Sequence, residues 1–283
     1  MASQSLSRRS PHAKADLTRV ISGALLLAAV VAAIWLLPPI AVLAIAVFVS
    51  LLAFREYVDL AARGGTRVSL PAGGTAVALA CVAVGMPGLP VEAAIAGTTL
   101  GLSALALGSA TKTATEEQSA DALRTAAISA FAPLYIGVPL GLISATRWML
   151  GREAALLLIL TVAVSDSFQY YSGRIFGRRL LAPLVSPKKT VEGAVGGFVG
   201  ATLAVGIVGH WWLPQMALPA RIVLGLAIAA VGIVGDLFES TLKRSVGMKD
   251  ASAMIPGHGG VLDRIDALIF ATPVFYVFVR YSF

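Results

Sequence analysis

Apolar residues run along this chain in nine stretches, separated by short polar, glycine or proline segments. The stretches lie near 20–37, 40–54, 70–87, 91–108, 125–146, 153–166, 191–212, 219–238 and 265–281. A membrane-crossing helix needs about 20 predominantly apolar residues, with a range of roughly 17 to 25. The second and sixth stretches are shorter than that; the others fit. Pro38 and Pro39 separate the first two, since proline lacks an N–H and its ring clashes with the preceding turn. Gly85, Pro87, Gly88 and Pro90 mark the third break. The pattern predicts an all-α, polytopic integral membrane protein of about nine transmembrane helices.

Composition sharpens this picture. The 283 residues are 57% hydrophobic and only 13% charged, against roughly 25% charged in an ordinary soluble domain. Mean hydropathy is +0.84. Too few charges exist to cover a soluble surface, so lipid is the expected main solvent. The single cysteine, Cys81, lies in an apolar run and reads as a buried small residue. It excludes an intramolecular disulfide and a thiolate metal site. No basic stretch is interleaved with aromatics, so the net charge of +7 points to membrane topology and not to nucleic acid.

Charge placement predicts an orientation. Nine spans put the termini on opposite faces. With the N-terminus cytoplasmic, eighteen of the 22 Lys and Arg residues fall on the cytoplasmic side, leaving Arg147, Arg152, Arg221 and Arg280 on the other. Residues 1–19 read as an uncleaved cytoplasmic tail. Residues 20–124 hold about four helices and a polar connector. Residues 125–283 hold about five helices with cytoplasmic loops at 167–190 and 239–264. The expected location is the cell inner (plasma) membrane, multi-pass, with its site facing the cytoplasm.

Chemistry concentrates in those two loops. Asp236, Ser240 and Lys243 share a helix face at i, i+4 and i+7, with Glu239 beside them, and Asp263 and Asp266 share another. Three aspartates therefore reach one rim of the membrane, where unpaired carboxylates are costly and call for cations. An all-oxygen set without Cys or a His pair suits Mg²⁺, which takes one or two carboxylates plus waters and phosphates. Gly257, Gly259 and Gly260 let backbone N–H groups approach an anion, and Lys243, Arg244, Lys249 and Arg264 supply positive charge around His258 and Asp250. The plain alternative is a membrane-edge loop in which bases meet headgroups and aspartates form salt bridges. The tight clustering favours a polyphosphate site.

In the other loop, Asp166 and Tyr170 precede Arg174, Arg178 and Arg179, and SPKKTVEG follows. Ser186 or Thr190 is placed to cap the next helix, whose N-terminus with Lys188, Lys189 and Glu192 would form an anion site. Upstream, Arg55 and Glu56 read either as a structural ion pair or as part of the site. No G-x-x-x-x-G-K-[ST], no H-E-x-x-H and no Asp-Gly-x-x-Ala-Arg run occurs.

The stretch S-x-L-K-R-x₄-K-D-x-S-x₃-P-G-H-G-G-x-L-D-R-x-D, from Ser240 to Asp266, closely resembles the signature of the phosphatidate cytidylyltransferase (CDP-diacylglycerol synthase) family. GDLFES before it and SPKKTVEG upstream also resemble family segments, and the likeness covers roughly 125–283. Phe168 and Gln169 depart from it, standing where many relatives carry small residues. The resemblance implies transfer of the cytidylyl group of CTP to phosphatidic acid, releasing pyrophosphate. It implies Mg²⁺ and allows a second, monovalent cation such as K⁺. Asp236, Asp263 and Asp266 would hold metal. Lys243, Arg244, Lys249, Lys188 and Lys189 would hold phosphates, with His258 and its glycines shaping the pocket. Membrane lipids and a homodimer partner are implied as well. A CTP-dependent lipid kinase and a polytopic ion-coupled transporter remain the alternatives.

Overall fold

The computed structural model describes residues 11–110, 116–252 and 259–282, and nearly all of them are helical. Ten α-helices follow in order: α1 (Pro11–Leu36), α2 (Pro39–Arg63), α3 (Leu70–Gly85), α4 (Val91–Ala110), α5 (Glu116–Ala132), α6 (Val138–Met149), α7 (Gly151–Phe176), α8 (Val191–Trp212), α9 (Leu218–Ser245) and α10 (Leu262–Tyr281). One small hairpin, β1 (Leu180–Ala182) and β2 (Ser186–Thr190), is added to the expected all-α architecture. Its strands are antiparallel, with Leu180 opposite Thr190 and Ala182 opposite Ser186.

The helices start and stop for local reasons. Proline opens α2, where its fixed φ suits the first turn and its missing N–H is no loss. Ser69 caps α3 by accepting from Ala72 N–H. Between α5 and α6 the chain does not break. Pro133 cannot donate into the ladder, and Pro133–Gly137 form one wide π-turn in which Val138 N–H donates to Pro133 O.

Five segments among the described residues are long and apolar enough to cross a membrane: Pro39–Arg63, Ala120–Met149, Gly151–Phe176, Val191–Trp212 and Leu218–Ser245. Shorter apolar helices lie at Leu25–Leu36, Leu70–Gly85 and Ile95–Ala104. α10 falls outside the five because Asp263, Arg264, Asp266 and Arg280 charge its two ends. The two stretches read as short prove long. α2 continues past residue 54 to Arg63, and α7 runs past Asp166 to Phe176, because helix geometry persists where polar residues begin.

Two main cores form. One joins α2, α3, α5, the π-turn, α6 and the start of α10 around Phe54, Val77, Ile136 and Leu262. Tyr57, Phe131, Tyr135, Phe238 and Phe270 make a chain of ring contacts along it. The other joins α7, α8, α9 and the rest of α10 around Leu157, Leu158, Leu224, Ile228 and Phe275. α10 belongs to both: its start, which carries Asp263 and Asp266, packs in the first core through Leu262 and Ile265, and its later turns pack in the second through Ala271, Phe275 and Val279.

Candidate active site

The site forms where α9 ends and α10 begins. Lys243 in the last turn of α9 bridges two carboxylates: Glu239 one turn back at 2.5 Å and Asp263 of α10 at 2.5 Å. Glu239 is fully buried. A buried carboxylate is tolerated only when a cation and hydrogen bonds compensate for lost water, and Lys243 supplies that charge.

Asp263 also organises the loop before it. Its Oδ2 accepts from Ala251 N–H at 2.9 Å and from Gly260 N–H at 2.7 Å. Burial pushes this carboxyl up, but the hydrogen bonds from Lys243 and Gly260 outweigh burial and hold it below the ordinary carboxylate value. Gly259 has φ +78°, a left-handed conformation that side chains disfavour. Gly260 leaves no room for a side chain, since a Cβ there would lie 2.5 Å from a carboxylate oxygen of Glu56.

Glu56 is the residue whose place the sequence left open. It makes no ion pair with exposed Arg55. Almost wholly buried, it reaches from α2 to accept from Val261 N–H at 2.9 Å, Leu262 N–H at 2.7 Å and Ser252 Oγ at 2.6 Å. Its presence in a charged FREY run ending an apolar stretch was the only available signal.

A second group of charges lies beside this clasp. Lys189, delivered by β2, forms an ion pair with Asp236 of α9. Asp166, Asp236 and Asp266 lie within electrostatic range of one another and of Lys189, and Arg264 acts on Asp166. Asp266 accepts from its neighbour Ala267 N–H at 2.8 Å. The aspartates expected to form one set thus divide: Asp236 and Asp266 face Lys189 and Asp166, while Asp263 faces Lys243 and the loop. Among the described residues no three His, Cys, Asp or Glu side chains form a ready-made metal cage. Asp166, Asp236 and Asp266 thus stand near two cations, Lys189 and Arg264. Carboxylate oxygens are the donor type a hard cation takes, but these three do not by themselves enclose one.

The remaining expected residues distribute around these two groups. Thr190 caps α8, its Oγ1 accepting from Gly193 N–H at 3.1 Å, while Ser186 pairs within the hairpin. Glu192 Oε2 accepts from Arg178 N–H and Arg179 N–H, at 3.0 and 3.2 Å, and so closes the α7–hairpin corner. Arg244 ties the hairpin to the end of α9 through Val185 O and Met248 O. Lys188, Lys249 and Asp250 are exposed, and Ser240 is half-buried one turn after Asp236. Tyr170 is exposed, with its hydroxyl accepting from Arg174 at 3.2 Å. Gly257 and His258 lie outside the described residues.

Phe168 and Gln169 are accommodated by glycine. A Cβ at Gly200 would lie 2.6 Å from Phe168 Cγ, and one at Gly197 would strike the Gln169 side chain. Gln169 also donates to Asp166 and Ser165 at 3.4 Å. The bulk that departs from the family pattern therefore fills space that α8 leaves empty.

Residues 17–282 match the model of the Cytidylyltransferase family. The chain is similar to an uncharacterised protein, YnbB, of Escherichia coli, 45% identical over 46% of this chain and 44% of that one. It is similar to a phosphatidate cytidylyltransferase of Thermotoga maritima, 37% identical over 58% of this chain and 62% of that one. Another, from Haemophilus influenzae, is 44% identical over 45% and 46%. The chain thus spans about half the length of the curated relatives it matches. With nearly its whole length under the family model, the chain belongs to the Cytidylyltransferase family.

Proposed function

We propose that this chain transfers the cytidylyl group of CTP to phosphatidic acid, giving CDP-diacylglycerol and pyrophosphate. The observation that carries the reading is the junction of α9, α10 and the β1–β2 hairpin. It gathers carboxylates and lysines at the end of apolar helices, where a water-soluble triphosphate can meet a lipid phosphate. The names of the relatives from Thermotoga maritima and Haemophilus influenzae support the same substrates.

In this reading a phosphate oxygen of the lipid attacks the α-phosphorus of CTP in line. The new P–O bond forms as the bond to the β-phosphate oxygen breaks, and its electron pair leaves with pyrophosphate. Such a transfer depends on positioning and charge neutralisation more than on covalent help. Lys188, Lys189 and Arg244 receive phosphate charge from the hairpin side, and Lys249 from the loop. The nucleophile is already anionic at neutral pH, so no strong general base is required of His258. Asp236, Asp263 and Asp266 are the carboxylates that would hold cations. Asp236 and Asp266 share the space near Asp166, and Asp263 joins them only when Lys243 releases it. Mg²⁺, when bound, neutralises the triphosphate and polarises its α-phosphorus, and a monovalent cation is proposed beside it.

The same reading places about nine spans in the inner membrane with the N-terminus and the site cytoplasmic, as the Lys and Arg distribution favours. Membrane lipids and a second copy of the chain are its other proposed partners.

The test supplies purified protein in detergent with Mg²⁺, phosphatidic acid and CTP labelled on the α-phosphate. Label should enter the lipid fraction as pyrophosphate appears, and Asp236→Ala should abolish this in a folded protein. Release of CDP would indicate a kinase instead. No label and no nucleotide turnover from folded protein would sink the synthase reading.

A further inference from the structure

α9 closes at Ser245 and α10 opens at Leu262; between them Ala251 and Ser252 on the incoming side and Gly260 and Val261 on the outgoing side form a neck, gathered by two carboxylates from different helices. Asp263 binds one residue on each side of the neck, Ala251 and Gly260. Glu56 does the same from α2, taking Ser252 on the incoming side and Val261 and Leu262 on the outgoing side. Glu56 is only 1% exposed, and it lies 205 residues from Val261 in sequence. Its negative charge meets the N–H groups that open α10, where the helix dipole favours an anion. The next link is Lys243, which joins Asp263 to Glu239. A continuous polar chain therefore runs from α2 through the neck to α9.

We propose that Glu56 is a positioning residue: it holds Ser252, Val261 and Leu262 together at this neck, and through them sets the placement of Asp263 and Lys243, read as part of the nucleotide site. The inference rests on the cytidylyltransferase reading for its kinetic consequence, but not for its structural one. Only a carboxylate offers acceptors at both oxygens. A glutamine presents an NH₂ donor to one of the neck's own donors, leaving that N–H unpaired in a buried place. Gly260 has a matching role, since any side chain there would occupy the Glu56 carboxylate position.

The experiment compares wild type, Glu56→Gln and Ser252→Ala. Ser252→Ala removes one donor and keeps the Glu56 carboxylate in place if Glu56→Gln fails to fold. Amide hydrogen exchange is read across residues 259–264, and KM is measured separately for CTP and for phosphatidic acid. In Glu56→Gln the amides of Val261 and Leu262 should lose protection while the helix centres keep theirs. KM for CTP should rise about tenfold, with KM for phosphatidic acid unchanged. Ser252→Ala should move both readouts the same way by less. Faster exchange with unaltered kinetic constants would overturn the positioning role, because the neck would then be scaffold alone. Unaltered exchange in a folded variant would overturn the clasp itself. If wild type transfers no cytidylyl group, the functional reading fails, while the exchange arm still decides whether Glu56 closes the neck.

Discussion

Along α8, glycines at 193, 196, 197 and 200 let α7 approach until Phe168, Gln169 and Ser172 lie directly against helix backbone. Between α9 and α10 a close fit at Gly235 against Asp266 and Phe270 is joined by an ionic clasp of Lys243, Glu239 and Asp263, with Glu56 reaching in from α2. The first junction is specified by shape, and its polar contacts are few and local. The second adds charge to shape, and each charged member is costly without the others. Apolar packing has no hydrophobic drive within lipid, where helices associate through close van der Waals fit and hydrogen bonds. The scaffold therefore uses close fit, and the charged network sits where phosphate chemistry is expected.

The difference can be broken most severely at Lys243. Lys243→Met leaves Glu239 and Asp263 without their cation, a loss of about 3–5 kcal/mol for a broken buried pair. Thermal unfolding in detergent should show it, and Glu239→Gln in the same chain should recover part of the loss. At the shape-coded side, Gly225 of α9 faces α8 so closely that a Cβ would lie 2.6 Å from Thr202 Cα. Gly225→Ala should cost about 1–3 kcal/mol through overpacking. KM values per folded molecule should stay unchanged, which separates scaffold from site.

Smaller effects follow. Thr190→Ala removes the cap of α8 and should cost about 1 kcal/mol, while Thr190→Ser should be close to neutral in the same unfolding measurement. Acid should act through Asp263, whose carboxyl is held below the ordinary value of 3.8. Its contribution is complete above that pH and is lost as pH falls through the lower folded value. Asp263→Asn should flatten this acid limb, and an unaltered limb would assign it to other carboxylates.

Much of this was legible along the chain. The run from Val191 to Trp212 is apolar throughout and bounded by a capping threonine, and the helix occupies that span. The spacing put Lys243 on the face of Asp236 and Ser240 with Glu239 beside them; in the fold Lys243 pairs with Glu239, and Asp236 with Lys189. The ends of α2 and α7 were not legible, because a helix can carry polar residues once its neighbours cover them. Asp166, read as the edge of a loop, is in fact ten residues inside α7. The division of the three aspartates was also hidden. Helical spacing puts Asp263 and Asp266 on the same side, but loop N–H groups and Lys243 draw one away. Glu56 was the least accessible, since nothing in an FREY run encodes a partner 205 residues later.

α2 has 25 residues, about 37 Å at 1.5 Å per residue, whereas a bilayer's hydrocarbon core is about 30 Å thick. Only Pro39 to Phe54 is free of charge, about 24 Å, so the charged last turns extend beyond the apolar part of the rod. Glu56 rides on that rod seven residues before its end, gripping the neck of the loop. The end of a helix that outruns its apolar stretch thereby becomes the fixture on which the start of α10 is seated.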